Sequence, residues 1–214
     1  MMWTSLMMGA SAAPATIALT DHAFGTGTKA TWTFPSRALG AAASDRRVVV
    51  GVTASQAVNN NTVSSVTIAG VAATQHVYHE DGTGAASRAA LWSAPVPTGA
   101  TGDVVVTFAS ADDRCGIGVW RVTGAGASPV STHADGTDGT GTTSITVPAG
   151  GVAVAMAATS ASTTWSGLTE DFDETIAGTS LQSGACAALA AAQTGLSVSD
   201  TNNRELVVAV FGPV

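Results

Sequence analysis

The sequence predicts an all-β protein, a two-sheet sandwich assembled from two similar halves behind an extended apolar N-terminal arm. Four observations predict it. The 214 residues are 45% hydrophobic but only 11% charged, less than half the usual ~25%. Val, Thr, Ala, Ser and Gly dominate, while Glu occurs four times and Lys once, so the residues of amphipathic helices are missing. Short β-branched runs recur with turn residues every ten or so positions, the pattern of a sandwich or barrel. The second half of the chain repeats the order of the first.

The strands are legible in order. Thr31-Trp32-Thr33-Phe34 alternates and stops at Pro35, and Arg47 to Val52 is a β-branched run after a turn at Ser44-Asp45. Val63 to Ile68 ends at Ala69-Gly70, a hairpin-type turn, and Val71 resumes toward Tyr78. After the loop Glu80 to Gly84, Arg88 to Trp92 runs up to Pro95; Thr98 to Asp103 then turns the chain into Val104 to Phe108. Gly116 to Val122 ends at Gly124.

The same order returns. Ser144 to Pro148 matches Thr31 to Pro35, Val152 to Ser160 matches Val48 to Ser55, and Trp165 to Thr169 matches Ile68 to Ala72. Ala187 to Ala192 lines up with Ala89 to Ala94, and Ser197 to Phe211 with Val104 to Trp120. The offset falls from 113 at Pro35/Pro148 to 90 at Arg114/Arg204, so the second copy has shorter loops. Ala185 to Ala192 has helix propensity, but its counterpart reads as strand and it is assigned so. The expected organisation is an arm over 1–28 and one sandwich over 29–214, with half one at about 29–123 and half two at about 144–214. The connector at about 124–143 is too rich in Gly, Thr and Asp for regular structure. Two half-sandwiches unable to close their own cores would pack as one jelly-roll-type domain.

Charge narrows the function classes. Eight basic residues against fifteen acidic give a net −7, the wrong sign for nucleic-acid binding through phosphate neutralisation. No run approaches the ~20 apolar residues of a spanning helix, so no membrane partner is expected. The start, MMWTSLMMGASAAP, lacks the basic n-region and long apolar core of a signal peptide. Four of the five Met residues stand in the first eight positions. Met1, Met2, Trp3, Leu6, Met7 and Met8 therefore form the expected attachment surface, too apolar to dangle in water. Cys115 and Cys186 sit in apolar contexts and read as buried free thiols, although one disulfide is arithmetically open.

The search for chemistry finds no GxSxG elbow, HExxH, Walker loop or CxxC, and no cofactor is implied. His76 and His79, three apart on a strand, point to opposite faces and would not share a metal ion. Glu170-Asp171-Phe172-Asp173-Glu174 and Asp135-Gly136-Thr137-Asp138-Gly139 carry carboxylates that calcium would accept, without the spacing of a calcium loop. No metal site is assigned. Trp32, Trp92 and Trp120 read as core. Trp165, in a turn-like context, is the tryptophan expected to be exposed and able to stack on a sugar, with Tyr78 and His79 as further candidate ligand-binding residues.

The strings VSSVTIAGVAAT, LWSAPVPTGATGDVVVTF and RCGIGVWRVTG, with SITVPAGGVAVA, TWSGLTEDFDE and AAAQTGLSV in the second half, resemble virion surface proteins of tailed bacteriophages and gene transfer agents. The likeness spans about Thr31 to Val210 and rests on strand and turn composition, not on a catalytic motif. It implies a jelly-roll head decoration, head fibre, spike or tail-fibre component. Such a protein is assembled in the host cytoplasm, displayed on the particle exterior and often trimeric. Its partners would be the major capsid protein or tail components. The alternatives are a module binding host-surface glycan, on a tail fibre or secreted, and a secreted hydrolase using Asp171, Asp173 or Glu174.

Overall fold

The structure is a computed structural model that describes residues 13–55, 61–80, 87–136, 139–178 and 180–214. Its elements are all strands: β1 (Thr16–Ala38), β2 (Arg47–Ser55), β3 (Val63–Ile68), β4 (Val71–Ala72), β5 (Thr74–Glu80), β6 (Ser87–Pro95) and β7 (Thr101–Thr123) in the first half. The second half holds β8 (Ser131–Asp135), β9 (Gly139–Val147), β10 (Val152–Thr159), β11 (Trp165–Ser166), β12 (Thr169–Ala177), β13 (Ser180–Ala188) and β14 (Gln193–Phe211). The all-β expectation holds.

The repeat is topological as well as sequential. The first sheet runs β4-β3-β7-β2-β6-β5 with β1 on β7, and the second runs β11-β14-β10-β13-β12 with β8 and β9 on β14. Apart from the two-residue β4, which has no counterpart, this is one connectivity used twice, β11 standing where β3 stands and β8 and β9 together where β1 stands. Registers agree too. Trp32 faces Val106 as Ile145 faces Leu196, and these pairs stand at the offsets of 113 and 90 read from the sequence. Val48 lies between Ala94 and Arg121 as Val152 lies between Ala188 and Phe211. The alanine segment departs from the expected alignment, because Ala188, not Ala192, occupies the place of Ala94. β13 ends there, and Leu189 to Ala192 leave the sheet.

Alternation along the central strands shows how the layers stack. On β2, Val48, Val50, Val52 and Ala54 enter a core with Trp32, Val66, Val106 and Ile117. Val49 turns the other way, into a core shared with Val154, Met156 and Phe211. On β10, Val152, Val154 and Met156 join that shared core, while Ala153, Ala155 and Ala157 enter a third core with Ile145, Trp165 and Val198. β2 and β10 are therefore buried on both faces, which is why they read as continuous apolar runs rather than alternating ones.

Each half thus folds back on itself and closes its own core, and the two closed halves pack back to back. This corrects the expectation of half-sandwiches unable to close alone. The long strands β7 and β14 make the closure possible. The first part of β7 pairs with β3 and its last part with β2, so one strand serves both layers of its half. Among the described residues every named ladder lies within one half, so the interleaving of a jelly roll is not the connectivity found. Across the back-to-back interface β2 faces β10, β6 faces β14, β5 faces β8 and β1 faces β12. An approximate twofold axis between β2 and β10 would generate that arrangement. Gly51 sits at its centre, where a Cβ would stand 2.9 Å from Met156 Cγ and Sδ.

Two boundaries move. β1 begins at Thr16, so residues 16–28 belong to the sandwich rather than to the arm. Its first limb, Thr16 to Thr26, pairs with the last part of β7. The expected connector holds β8 and the start of β9, since the rear of β14 needs edge partners and Thr-rich segments supply them. From Thr140 to Val147 exposed and buried residues alternate strictly, Gly141, Thr143, Ile145 and Val147 facing in.

Candidate functional site

The strand ladders give the molecule two unlike ends. At the base, β1 begins, β7 and β14 finish, and the two halves are sewn together by backbone bonds. Ala15 N–H donates to Gly150 O at 2.8 Å, Gly126 N–H to Gly212 O at 2.9 Å and Val214 N–H to Gly124 O at 3.0 Å. Val130 and Val214 are 63% and 70% exposed there. The chain enters this end from residues 1–12, so the attachment candidates Met1, Met2, Trp3, Leu6, Met7 and Met8 lead into it, though they lie outside the described residues. Arg46 holds the neighbouring loops. Its buried guanidinium donates to Val96 O and Gly40 O at 2.6 Å and to Thr98 O and Gly99 O at 2.7 Å. Five donors in a fixed fork suit such a cluster of carbonyls.

The far end carries the polar network. Tyr78 Oη donates to Glu80 Oε2 at 2.6 Å, and Glu80 meets Arg88 at 3.4 Å. Arg88 Nη1 donates to Asp112 Oδ2 at 2.7 Å, which also accepts from Asn61 Nδ2 at 3.1 Å. Arg88 and Asp112 are buried, so this is a true interior ion pair, and single truncations should leave a costly unpaired charge. Burial pushes the Asp112 carboxyl up, and Arg88 opposes the push. Burial, seconded by Glu80, raises the Tyr78 phenol. On the other face of β5, His79 Nδ1 bonds Glu205 of β14 across the interface between the halves.

The residues singled out from sequence are not brought together. Trp165 is the clearest correction: it is buried, packed in the second half's outer core with Leu168 and Val198, because its ladder to Asp200 places it inside. Its ring is not available for stacking. Tyr78 packs against the first half's core, and His79 faces the second half. His76 departs from the expected geometry as well. A bulge between Gln75 and Val77 turns both histidines toward β14, where His76 packs edge-on against Phe211 at 5.6 Å and bonds Ser93 Oγ at 2.7 Å. An extra residue in one strand resets the alternation, and single-strand periodicity does not reveal it.

The acidic run 170–174 is strand β12, not a loop, and its carboxylates take separate partners. Asp171 Oδ2 accepts from Trp120 Nε1 at 2.8 Å, Asp173 Oδ2 from Thr163 N–H at 3.0 Å, and Glu174 meets His22 at 3.3 Å. Burial raises the Asp171 carboxyl. Asp200, buried near Asp135 and Asp173, is pushed up to about 7, chiefly by burial. Among the described residues no three His, Cys, Asp or Glu side chains are placed to hold a metal ion. Cys115 and Cys186 are free and buried.

Sequence reasoning missed Arg88, Asp112 and Glu205. The available signal was a lone charge inside an apolar run, as in Ser87-Arg88-Ala89-Ala90, which implies a buried partner. No protein-family model, curated protein or solved structure matches this chain.

Proposed function

We propose that this chain is a non-enzymatic structural protein of a phage or phage-like particle, carried on the particle exterior as head decoration, head fibre or spike. The apolar residues 1–12 anchor its base to the capsid or tail, and the far-end loops face outward.

The observation that supports this reading is the polarity of the fold. Thr16, where β1 begins, and Val214 stand at the base with exposed Val130, while Tyr78 and the charged side chains of Glu80, Arg88 and Asp112 gather at the opposite end. A tandem sandwich with three cores resists local opening, which suits a module exposed to the medium. Its low lysine content and acidic balance suit a soluble, weakly adhesive exterior.

Two measurements test it. A gold-tagged antibody against this chain is applied to purified particles and viewed by electron microscopy, with gold on capsid or tail expected. A chain lacking residues 1–12 is then supplied in place of the full one. It is expected to fold with unchanged thermal stability and to be missing from particles. Unlabelled particles, or normal incorporation of the truncated chain, would overturn the proposal.

A further inference from the structure

The first half carries a preformed cleft that a single strand encircles. Register shifts at Thr26/Lys29 and Lys29/Thr31 bend β1 back on itself, so that Ala23 to Thr26 face Trp32 to Arg37 across a cavity of about 290 Å³. The open side of this ring is pinned. Ala38 N–H donates to Asp21 Oδ2 at 2.8 Å, Thr20 Oγ1 donates to Ala38 O at 2.8 Å, and Arg37 meets Asp21 at 3.7 Å. The volume lies just below the roughly 300–1,000 Å³ range of drug-sized ligand pockets, enough for one ring-sized group.

Its lining is unlike the rest of the surface. Phe24, 41% exposed, is the most exposed Phe, Tyr or Trp among the described residues. Trp32 lies beneath, only 3% exposed, with an indole Nε1 that is buried and without a hydrogen-bond partner. Gly25 packs so close that a Cβ would fall 2.6 Å from the Trp32 ring. Lys29, the sole lysine of the chain, holds its ammonium 5.0 Å from the Trp32 ring centroid. Arg37 is the second cation on the lining.

Charge identifies the occupant. The protein is net −7 with eight cations, and Arg46 and Arg88 are committed to the interior. Two of the remaining cations line one small aromatic-walled cavity, Lys29 over the Trp32 ring and Arg37 beside Asp21 at the pinned side, a concentration of cations in an otherwise acidic molecule. A neutral sugar would take only hydrogen bonds from these cations, weaker than the charge-assisted bonds of a carboxylate, and a long polyanion would be repelled by the surrounding surface. The geometry points to a binding site for a single carboxylate-bearing sugar residue. Its apolar ring face would stack on Phe24, and its carboxylate would be held between Lys29 and Arg37. The site is independent of the attachment reading, since the cleft and the base are built from different residues.

The test is a titration of ¹⁵N-labelled full-length protein with galacturonate, glucuronate and N-acetylneuraminate, each beside its methyl ester. At least one acid is expected to shift the amides of residues 23–37 and the Trp32 indole N–H, with its ester binding at least about tenfold more weakly. Lys29→Gln and Arg37→Gln are each expected to weaken that acid about tenfold. Spectra superimposable away from the cleft would show that these variants remain folded. Absence of shifts with all three acids overturns the site, as does equal binding of acid and ester. Shifts centred elsewhere, or unchanged affinity in the Lys29→Gln/Arg37→Gln double variant, overturn it too.

Discussion

Replacing Gly51 by alanine probes the interface that the two halves share. Gly51 lies in the middle of β2, hydrogen-bonded to β6 and β7 on either side, so its backbone cannot retreat. The new methyl would stand 2.9 Å from Met156 Cγ and Sδ and 3.0 Å from Met156 Cβ. The thioether can swing but the Cβ is tied to β10, and Met156 is fully buried. Overpacking of this kind costs about 1–3 kcal/mol; at about 2 kcal/mol in a chain this long, Tm should fall by about 4–8 °C. Met156→Ala alone leaves a void and costs about 2–5 kcal/mol. In the double variant the Gly51→Ala methyl occupies part of that void, so the combined loss should fall short of the sum by at least about 1 kcal/mol. Urea unfolding of the four proteins, followed by tryptophan fluorescence, measures the coupling. Additive losses, or a Gly51→Ala protein as stable as the parent, would refute back-to-back packing of β2 on β10. A fall in m-value would report that the halves had begun to unfold separately.

Other perturbations follow from the same contacts. Arg88→Met strands the buried Asp112 carboxylate and should cost about 3–5 kcal/mol in urea unfolding at pH 7, whereas Arg88→Met with Asp112→Leu should recover much of that loss. Arg46→Ala removes the donor that ties residues 40 and 96–99 together; it should lower Tm by several degrees and speed amide exchange in those loops. Asp200 titrates near 7 in the folded state against 3.8 as its ordinary value, so the folded chain holds a proton that the unfolded chain has released. Its contribution therefore declines as pH rises from about 4 to 7, by at most about 4 kcal/mol. Asp200→Asn should flatten that decline and exceed the parent in stability at pH 8, read from denaturation midpoints at pH 5 and pH 8. Ala69 and Gly70 both have positive φ, 51° and 78°, as a two-residue hairpin turn requires. Ala69→Gly should relieve the left-handed strain and raise stability by about 1 kcal/mol, measured by calorimetry.

Much of the site region was hidden for identifiable reasons. Tyr78 and His79 stand at the far end, at the edge of the polar network, but Asp112 and Glu205, which complete that network and hold His79, come from β7 and β14, far along the chain. Trp165 was misplaced because a turn-like string of Thr, Ser and Gly says nothing about what covers it. The cleft around Trp32 was invisible as well. It depends on bulges in β1 that let one strand face itself, and its first limb read as part of the N-terminal attachment arm.

By itself the sequence determined most strands of each half, though not β8, β12 or the first limb of β1, together with the turns at Ala69-Gly70 and Gly124 and the two copies with their offsets of 113 and 90. These are local properties, set by side-chain branching, two-residue alternation and the backbone freedom of turn residues. The tertiary structure alone decided that each half closes its own core, that Val49 and Met156 meet across a shared one, and that a bulge turns His76 and His79 toward the same neighbour. Alternation tells which residues share a face of a strand, but what lies against that face is settled by contacts between residues far apart in the chain.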